Sequence, residues 1–140
     1  MLKKPEDCIF FQLAKAAQAG VRYWTSRISH LGVTAVQGLV LAFLADQDRV
    51  SSARLGQRVQ LDSATLTGIL DRLERLGFVK RHKNPKDRRS ILICLTDDGK
   101  RVAREIIRIS REANESFLKD IPEEDEFLFR SVLVRLAQGE

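Results

Sequence analysis

The chain has 140 residues, 44% apolar and 31% charged, enough for one domain with a real core, or one domain plus helices that pack a partner. No apolar run approaches the roughly 18 residues of a membrane span, and the N-terminus lacks the apolar core of a signal peptide, so a cytoplasmic protein is expected. Cys8 and Cys94 lie far apart, as do His30 and His82, with no phosphate loop, metal-spaced cluster or partnered nucleophile, so no metal, cofactor or enzyme activity is expected.

A first helix is expected from about Pro5 to His30. Phe10, Ala14, Ala17, Val21, Trp24, Ile28 and Leu31 recur at spacings of 4, 3, 4, 3, 4, 3, a seven-residue seam. Such a seam packs on the chain's own core or across a subunit boundary. The boundary reading is favoured, because the C-terminal helices also need a surface. Gly20 weakens the helix and is where it would bend. Leu31-Gly32 ends it, and Thr34-Ala35-Val36-Gln37 opens the next as a capping box, the Thr34 hydroxyl accepting from the Gln37 N–H while the Gln37 amide reaches back. Val36, Leu39, Val40, Phe43 and Leu44 form that helix's apolar stripe, and Asp46-Gln47-Asp48-Arg49 breaks it.

Ser51 or Ser52 caps a short helix through about Val59, with Leu55 and Val59 inward. Asp62 caps the following one, whose Leu66, Ile69, Leu70 and Leu73 share one side at i, i+3, i+4, i+7. Leu76-Gly77 closes it. Two such helices joined by Gln60-Leu61 match a helix-turn-helix. Opposite the apolar stripe lie Ala64, Gly68, Asp71 and Arg75, flanked by Thr67 and Arg72. Small residues over the first turns let a helix sink into the major groove. Ser63, Thr65 and Thr67 can bond bases or phosphates there, and Arg72 and Arg75 can reach phosphate or guanine. The plainer reading is an ordinary solvated face. Asp71 dissents, since phosphate repels a carboxylate; it pairs with Arg75 at i+4 or accepts from cytosine.

The next ten residues, Lys80 to Arg89, hold six Lys/Arg against one Asp, a net +5 equal to that of the entire chain. Charge concentrated in this way attracts a polyanion. Strands are expected near Phe78–Lys83 and Ser90–Leu95, with Asn84-Pro85-Lys86-Asp87 turning between them. Lys83, Lys86, Arg88 and Arg89 therefore stand on a projecting wing. Asp87 and Arg89 share one side of an extended chain, so the carboxylate is expected to hold the guanidinium in an orientation suited to a narrow minor groove. Helix, turn, helix and basic hairpin in this order read as a winged helix for double-stranded DNA, with Ser51, Ser52 and Arg54 against the DNA backbone.

Thr96-Asp97-Asp98-Gly99 restarts helix, with a Thr cap and two acids in the first turn. Val102, Ala103, Ile106, Ile109, Ala113 and Phe117 stripe it. Pro122 with Glu123 and Glu124 begins a final helix whose apolar face is Phe127, Leu128, Val132, Leu133 and Leu136. The expected fold is mainly α with a small β-hairpin wing. Residues 33–96 form the winged helix-turn-helix, and residues 5–31 and 97–138 supply the dimerisation helices of a homodimer.

Leu31-Gly32-Val33-Thr34, the run from Leu70-Asp71-Arg72-Leu73 through Gly77-Phe78-Val79-Lys80-Arg81, and Asp87-Arg88-Arg89-Ser90 leading to Leu95-Thr96-Asp97-Asp98-Gly99 together resemble the multiple-antibiotic-resistance regulator (MarR) family over nearly the whole chain. The resemblance implies an obligate dimer built from the first and last helices that represses transcription. It also implies major-groove reading by the helix from Ser63 and a wing shaped for the minor groove by Asp87 and Arg89. Leu55-Gly56 stands where Leu-Ala is common, and Gly68 where a longer side chain often sits, which leaves the operator sequence open. Release from a pseudopalindromic operator by a small aromatic or anionic ligand is a further implication, with the pocket between dimer helices and winged helix. Trp24, Arg27, His30 and Phe43 are the candidates, because an Arg or His beside aromatics suits an aromatic carboxylate. Their plainer roles are core packing for Trp24 and Phe43 and a helix end for His30.

Two alternatives stand beside this reading. One is a thiol redox switch at Cys8, roughly where organic-peroxide sensors of the family carry their cysteine. Its register is slightly off, and Tyr23 is the only tyrosine. Cys94 is expected to be an inert packed thiol. The other is a winged helix serving as a protein-interaction or architectural module.

Overall fold

The computed structural model describes residues 3–139. A short 3-10 turn at Pro5–Asp7 leads into α1 (Ile9–Ile28), and a second at Ser29–Leu31 follows it. The expected single helix is thus three pieces, closed by Gly32 at φ 77, where a glycine enters the left-handed region freely. Gly20 does not interrupt α1. Next come α2 (Ala35–Asp46), β1 (Val50–Ser51), α3 (Ser52–Val59) and α4 (Ser63–Arg75). Strands β2 (Val79–Asn84) and β3 (Asp87–Leu95) form the hairpin, and α5 (Asp97–Phe117) and α6 (Glu123–Ala137) complete the chain.

The helix starts follow local hydrogen-bond rules. At α2 both halves of the capping box form: the Gln37 N–H donates to Thr34 Oγ1 at 3.3 Å and the Thr34 N–H to Gln37 Oε1 at 3.0 Å. Ser51 caps α3 by accepting from the Arg54 N–H, and Thr96 caps α5 by accepting from the Gly99 N–H. Asp62 caps α4 by accepting from the Thr65 N–H and hydroxyl, both at 2.8 Å, and these bonds hold its carboxyl below the usual value.

The core lies between α2, the helix-turn-helix, the sheet and α5. Leu66, Ile69, Leu70 and Leu73 of α4 are all buried, as are Val102, Ala103, Ile106, Ile109 and Ala113 of α5. The stripe expected on α2 is displaced: Leu41 is fully buried, while Val36 and Leu39 are exposed. Helix α2 is packed by α1, α3, α4, α5 and β3, so no single face defines its inside. Gly38 permits the close approach of α1, since a Cβ there would lie 2.7 Å from Ile28 Cδ1.

The sheet has three antiparallel strands in the order β1-β3-β2. Strand β1, with Val50 opposite Ile93 and Ser51 opposite Leu92, was not expected, because two residues carry no periodicity to read. Asp48 Oδ1 ties the same corner by accepting from the Leu95 N–H at 2.9 Å. Helix α5 then starts directly against the link between α4 and β2: a Cβ on Gly99 would meet the Phe78 carbonyl oxygen at 1.9 Å.

Beyond this body the apolar surface is open. Phe10 is 77% exposed, and Ile9, Phe11, Leu13 and Val21 are exposed along the same helix. None of the residues of α6 is buried. The seam of α1 therefore divides, with Ile28 in the core and Phe10, Ala14, Ala17 and Val21 outside it. No single helix among the described residues is long and apolar enough to cross a membrane.

Candidate nucleic-acid interface

Helix α4 presents Ser63, Ala64, Thr65, Thr67, Gly68, Arg72 and Arg75 to solvent on its outer side. Nothing lies within 4 Å of a Cβ built on Gly68, so the middle of this face is flat and open. The Thr65 hydroxyl donates to Asp62 and the Thr67 hydroxyl to the Ser63 carbonyl at 2.7 Å. Both keep an acceptor lone pair for an incoming donor. At the start of α3, Ser51 and Ser52 are half-buried and Arg54 is exposed, on the same helix-turn-helix.

Asp71 is not paired with Arg75. Its Oδ1 lies 2.8 Å from Nη2 of Arg81, whose Nη1 is 3.6 Å from Glu74 Oε2, while Nη2 also approaches the Thr67 carbonyl at 3.5 Å. Strand β2 runs along this flank of α4 and carries Arg81 to two carboxylates at once. One cation of the basic run therefore binds α4 to the base of the wing. It also offsets the two charges that would repel DNA.

The wing is ordered by its own main chain. Asn84 Oδ1 accepts from the Lys86 N–H, and Asn84 Nδ2 donates to Ser90 Oγ, both at 3.0 Å. Asp87 Oδ1 accepts at 3.0 Å from the main-chain N–H of Arg89, not from its guanidinium. The expected side-chain pair is replaced by an Asx turn, because a short carboxylate reaches the amide two residues on more easily than a long guanidinium folds back. Lys80, Lys83, Lys86, Arg88 and Arg89 are exposed and have no carboxylate partner among the described residues.

The four candidate ligand residues do not converge. Trp24 lines a cleft of about 210 Å³ between α1, α2 and α5, and its Nε1 donates to the Ala35 carbonyl at 3.2 Å. Tyr23, Leu39, Ser110, Asn114 and Phe117 share this cleft. Arg27 touches it only through Tyr23, donating to the phenol oxygen at 2.6 Å and lying 4.6 Å from the ring centre. Phe43 sits elsewhere, beneath Arg58, which pairs with Asp46 at 2.6 Å. His30 is exposed in the turn after α1. The sequence does not mark Tyr23, Ser110, Asn114 and Phe117 as cleft residues: Phe117 belongs to a packing stripe by period, and the pairing of α1 with α5 has no local signal. Cys8 is half-buried at the N-cap of α1, and Cys94 is buried, which pushes its thiol pKa up.

A winged helix-turn-helix, flanked by long helices and bearing unpaired wing cations, is thus the class of protein this chain defines. The MarR family model matches residues 33–91. The organic hydroperoxide resistance transcriptional regulator of Bacillus subtilis is 32% identical over 96 residues, covering 69% of this chain and 65% of that protein. The PcaV transcriptional regulator of Streptomyces coelicolor is 30% identical with a TM-score of 0.75, the match covering 91% of this chain and 93% of that one. Its complex with its natural ligand superposes over 99% of both chains with a TM-score of 0.90 at 26% identity. A mutant MarR from E. coli, complexed with operator DNA, shares the fold with a TM-score of 0.83 at 24% identity, over 89% of this chain and 90% of that one. The chain spans between 46% and 66% of the length of the first curated relatives it matches. The chain belongs to the MarR family.

Proposed function

We propose that this chain is a sequence-specific, double-stranded-DNA-binding transcriptional repressor that works as a homodimer in the cytoplasm, a binding protein without enzyme activity. The observation that carries the reading is the pairing of an open, small-residue helix face with five unpaired cations on an ordered wing. Residues 33–96 would form the DNA-binding part. Ser63, Ala64, Thr65, Thr67, Gly68, Arg72 and Arg75 would face the major groove, and Lys83, Lys86, Asp87, Arg88 and Arg89 the minor groove. Ser51, Ser52 and Arg54 would meet the DNA backbone. Residues 5–31 and 97–138 would join two copies, which the exposed apolar surface of α1 and α6 supports. The relative complexed with operator DNA supports the partner.

Selection of binding duplexes from a random pool, with affinity measured at two salt concentrations, tests the reading. A pseudopalindromic consensus with half-sites about one helical turn apart is expected. Affinity governed by salt alone, with no consensus, would leave a phosphate binder or architectural module instead.

Release by a small aromatic or anionic ligand completes the reading. The cleft beside Trp24 supports it, with Tyr23 and Arg27 at its edge, and so does the relative solved with its natural ligand. An Arg27→Ala variant that responds to an inducer as the wild type does would take Arg27 out of the site.

The second reading is redox release through Cys8. Its half-buried place at the start of α1 favours this, as does the Bacillus relative named for organic hydroperoxide resistance. Unchanged DNA binding with Cys8 shown to be oxidised would end it.

A further inference from the structure

The outer face of α4 has a one-sided supply of hydrogen-bonding groups over its first turns. The Thr65 hydroxyl donates to Asp62 Oδ2 at 2.8 Å, and the Thr67 hydroxyl to the Ser63 carbonyl at 2.7 Å. Both partners are acceptors by nature, so both hydroxyl hydrogens are spent, and these two exposed threonines are left as acceptors only. Asp71, one turn on, is a carboxylate whose Oδ1 is taken by Arg81. Ser63 has the one hydroxyl of this stretch without a partner among the described residues. Free guanidinium groups come only at Arg72 and Arg75, in the last turn. Between the acceptors lie Ala64 and Gly68, which offer no polar side-chain atom, and nothing stands within 4 Å of a Cβ built on Gly68.

The base pairs answer to such a face unequally. Guanine shows the major groove two acceptors, N7 and O6, and is recognised by paired donors. Opposite Thr65, Thr67 and Asp71 it would meet acceptors. Recovering a donor there means breaking a bond already made, and the one from Thr65 is charge-assisted by Asp62. The single Ser63 hydroxyl does not supply a pair. Adenine instead presents its N6 amino group, a donor that the threonine oxygens accept. Its thymine partner adds a C5 methyl, which is matched by an apolar contact such as Ala64. Gly68 leaves the floor beside Ala64 flat, so the helix can approach that methyl closely. Cytosine also offers an amino donor, but every cytosine brings a guanine with it.

We propose that each half-site carries A·T pairs opposite the first two turns of α4, with a thymine methyl seated on Ala64 and Gly68 and the adenine amino group bonded to a threonine oxygen. The proposal rests on the DNA-binding reading above and specifies which bases that face selects. Guanine recognition is confined to the far end of the helix, where Arg72 and Arg75 supply donors.

The test starts from the duplex selected out of a random pool and replaces its thymines by uracil one at a time, a change that removes the methyl and nothing else. At the thymine under Ala64 and Gly68 the affinity is expected to fall about fourfold, the worth of one buried methyl. Thymines outside the contact should be indifferent. Gly68→Arg locates the step. Its side chain has open space to enter, so the thermal midpoint should hold, and the selected consensus should change to guanine where the uracil-sensitive thymine stood.

A sensitive thymine in each half-site that Gly68→Arg replaces by guanine upholds the proposal. Should Gly68→Arg lower the midpoint, the uracil series on the wild-type chain decides by itself. A consensus in which no thymine responds to uracil overturns the proposal and leaves the DNA-binding reading standing. Sensitivity that a well-folded Gly68→Arg chain keeps at every thymine puts the methyl contact on another residue and overturns it as well. A pool that yields no consensus defeats the sequence-specific reading itself, and the proposal falls with it.

Discussion

In α4 the apolar stripe of Leu66, Ile69, Leu70 and Leu73 is buried, each residue 8% exposed or less, whereas in α6 the stripe of Phe127, Leu128, Val132, Leu133 and Leu136 is 38% to 77% exposed. Both helices announce an inward face by the same periodicity. They differ in where the complementary surface lies. For α4 it is in the same chain: α2, α3 and β2 close over it. For α6 and the first half of α1 no such surface covers the stripe among the described residues, and exposed apolar side chains in this number call for a covering surface. Periodicity reports that a face must be covered and says nothing about which molecule covers it.

The largest expected effect lies in the closed region. Gly99→Ala would drive a methyl into the Phe78 carbonyl and should destabilise the fold by about 3 kcal/mol, read from urea unfolding. A loss below about 0.5 kcal/mol would mean that the joint between α5 and the link from α4 to β2 is loose. In the open region Phe127→Asp should leave helix content intact while raising the dimer dissociation constant about 100-fold by sedimentation, in the range of an interface hot spot. A comparable loss of helix content would put α6 in the chain's own core and erase the contrast.

The same contrast divides the arginines, some engaged within the chain and some left outward. Arg89→Ala removes a free guanidinium and should cost about 1–3 kcal/mol in affinity for the selected operator, while Lys86→Ala should weaken every duplex alike. Arg81→Ala acts from the engaged side by uncovering Asp71 and Glu74, and should weaken DNA binding about tenfold, or about 1.4 kcal/mol. Adding Asp71→Asn should recover part of that loss by removing one exposed charge. A simple phosphate contact at Arg81 would show no recovery.

The smallest effect is a pH dependence at Asp62. Its carboxyl pKa is depressed by the Thr65 bonds, so its contribution to stability is present above the ordinary value of 3.8 and is lost as pH falls through the lowered folded value. The difference in thermal midpoint between wild type and Asp62→Ala should therefore be constant near neutrality and close only in acid.

What the sequence determined was local. Thr34, Ser51, Asp62 and Thr96 each cap a helix through a partner three residues away, a distance the chain itself holds. The order of helices and hairpin, the burial of α4 and the density of charge on the wing were legible for the same reason: period and composition survive without knowledge of neighbours. Tertiary structure decided the rest. It gave Asp71 to Arg81 instead of Arg75, and placed Tyr23 and Phe117 beside Trp24 while taking Phe43 away. Each of those outcomes depends on how two elements distant in the chain cross, and an ion pair or cleft forms only where their packing brings side chains within a few ångströms.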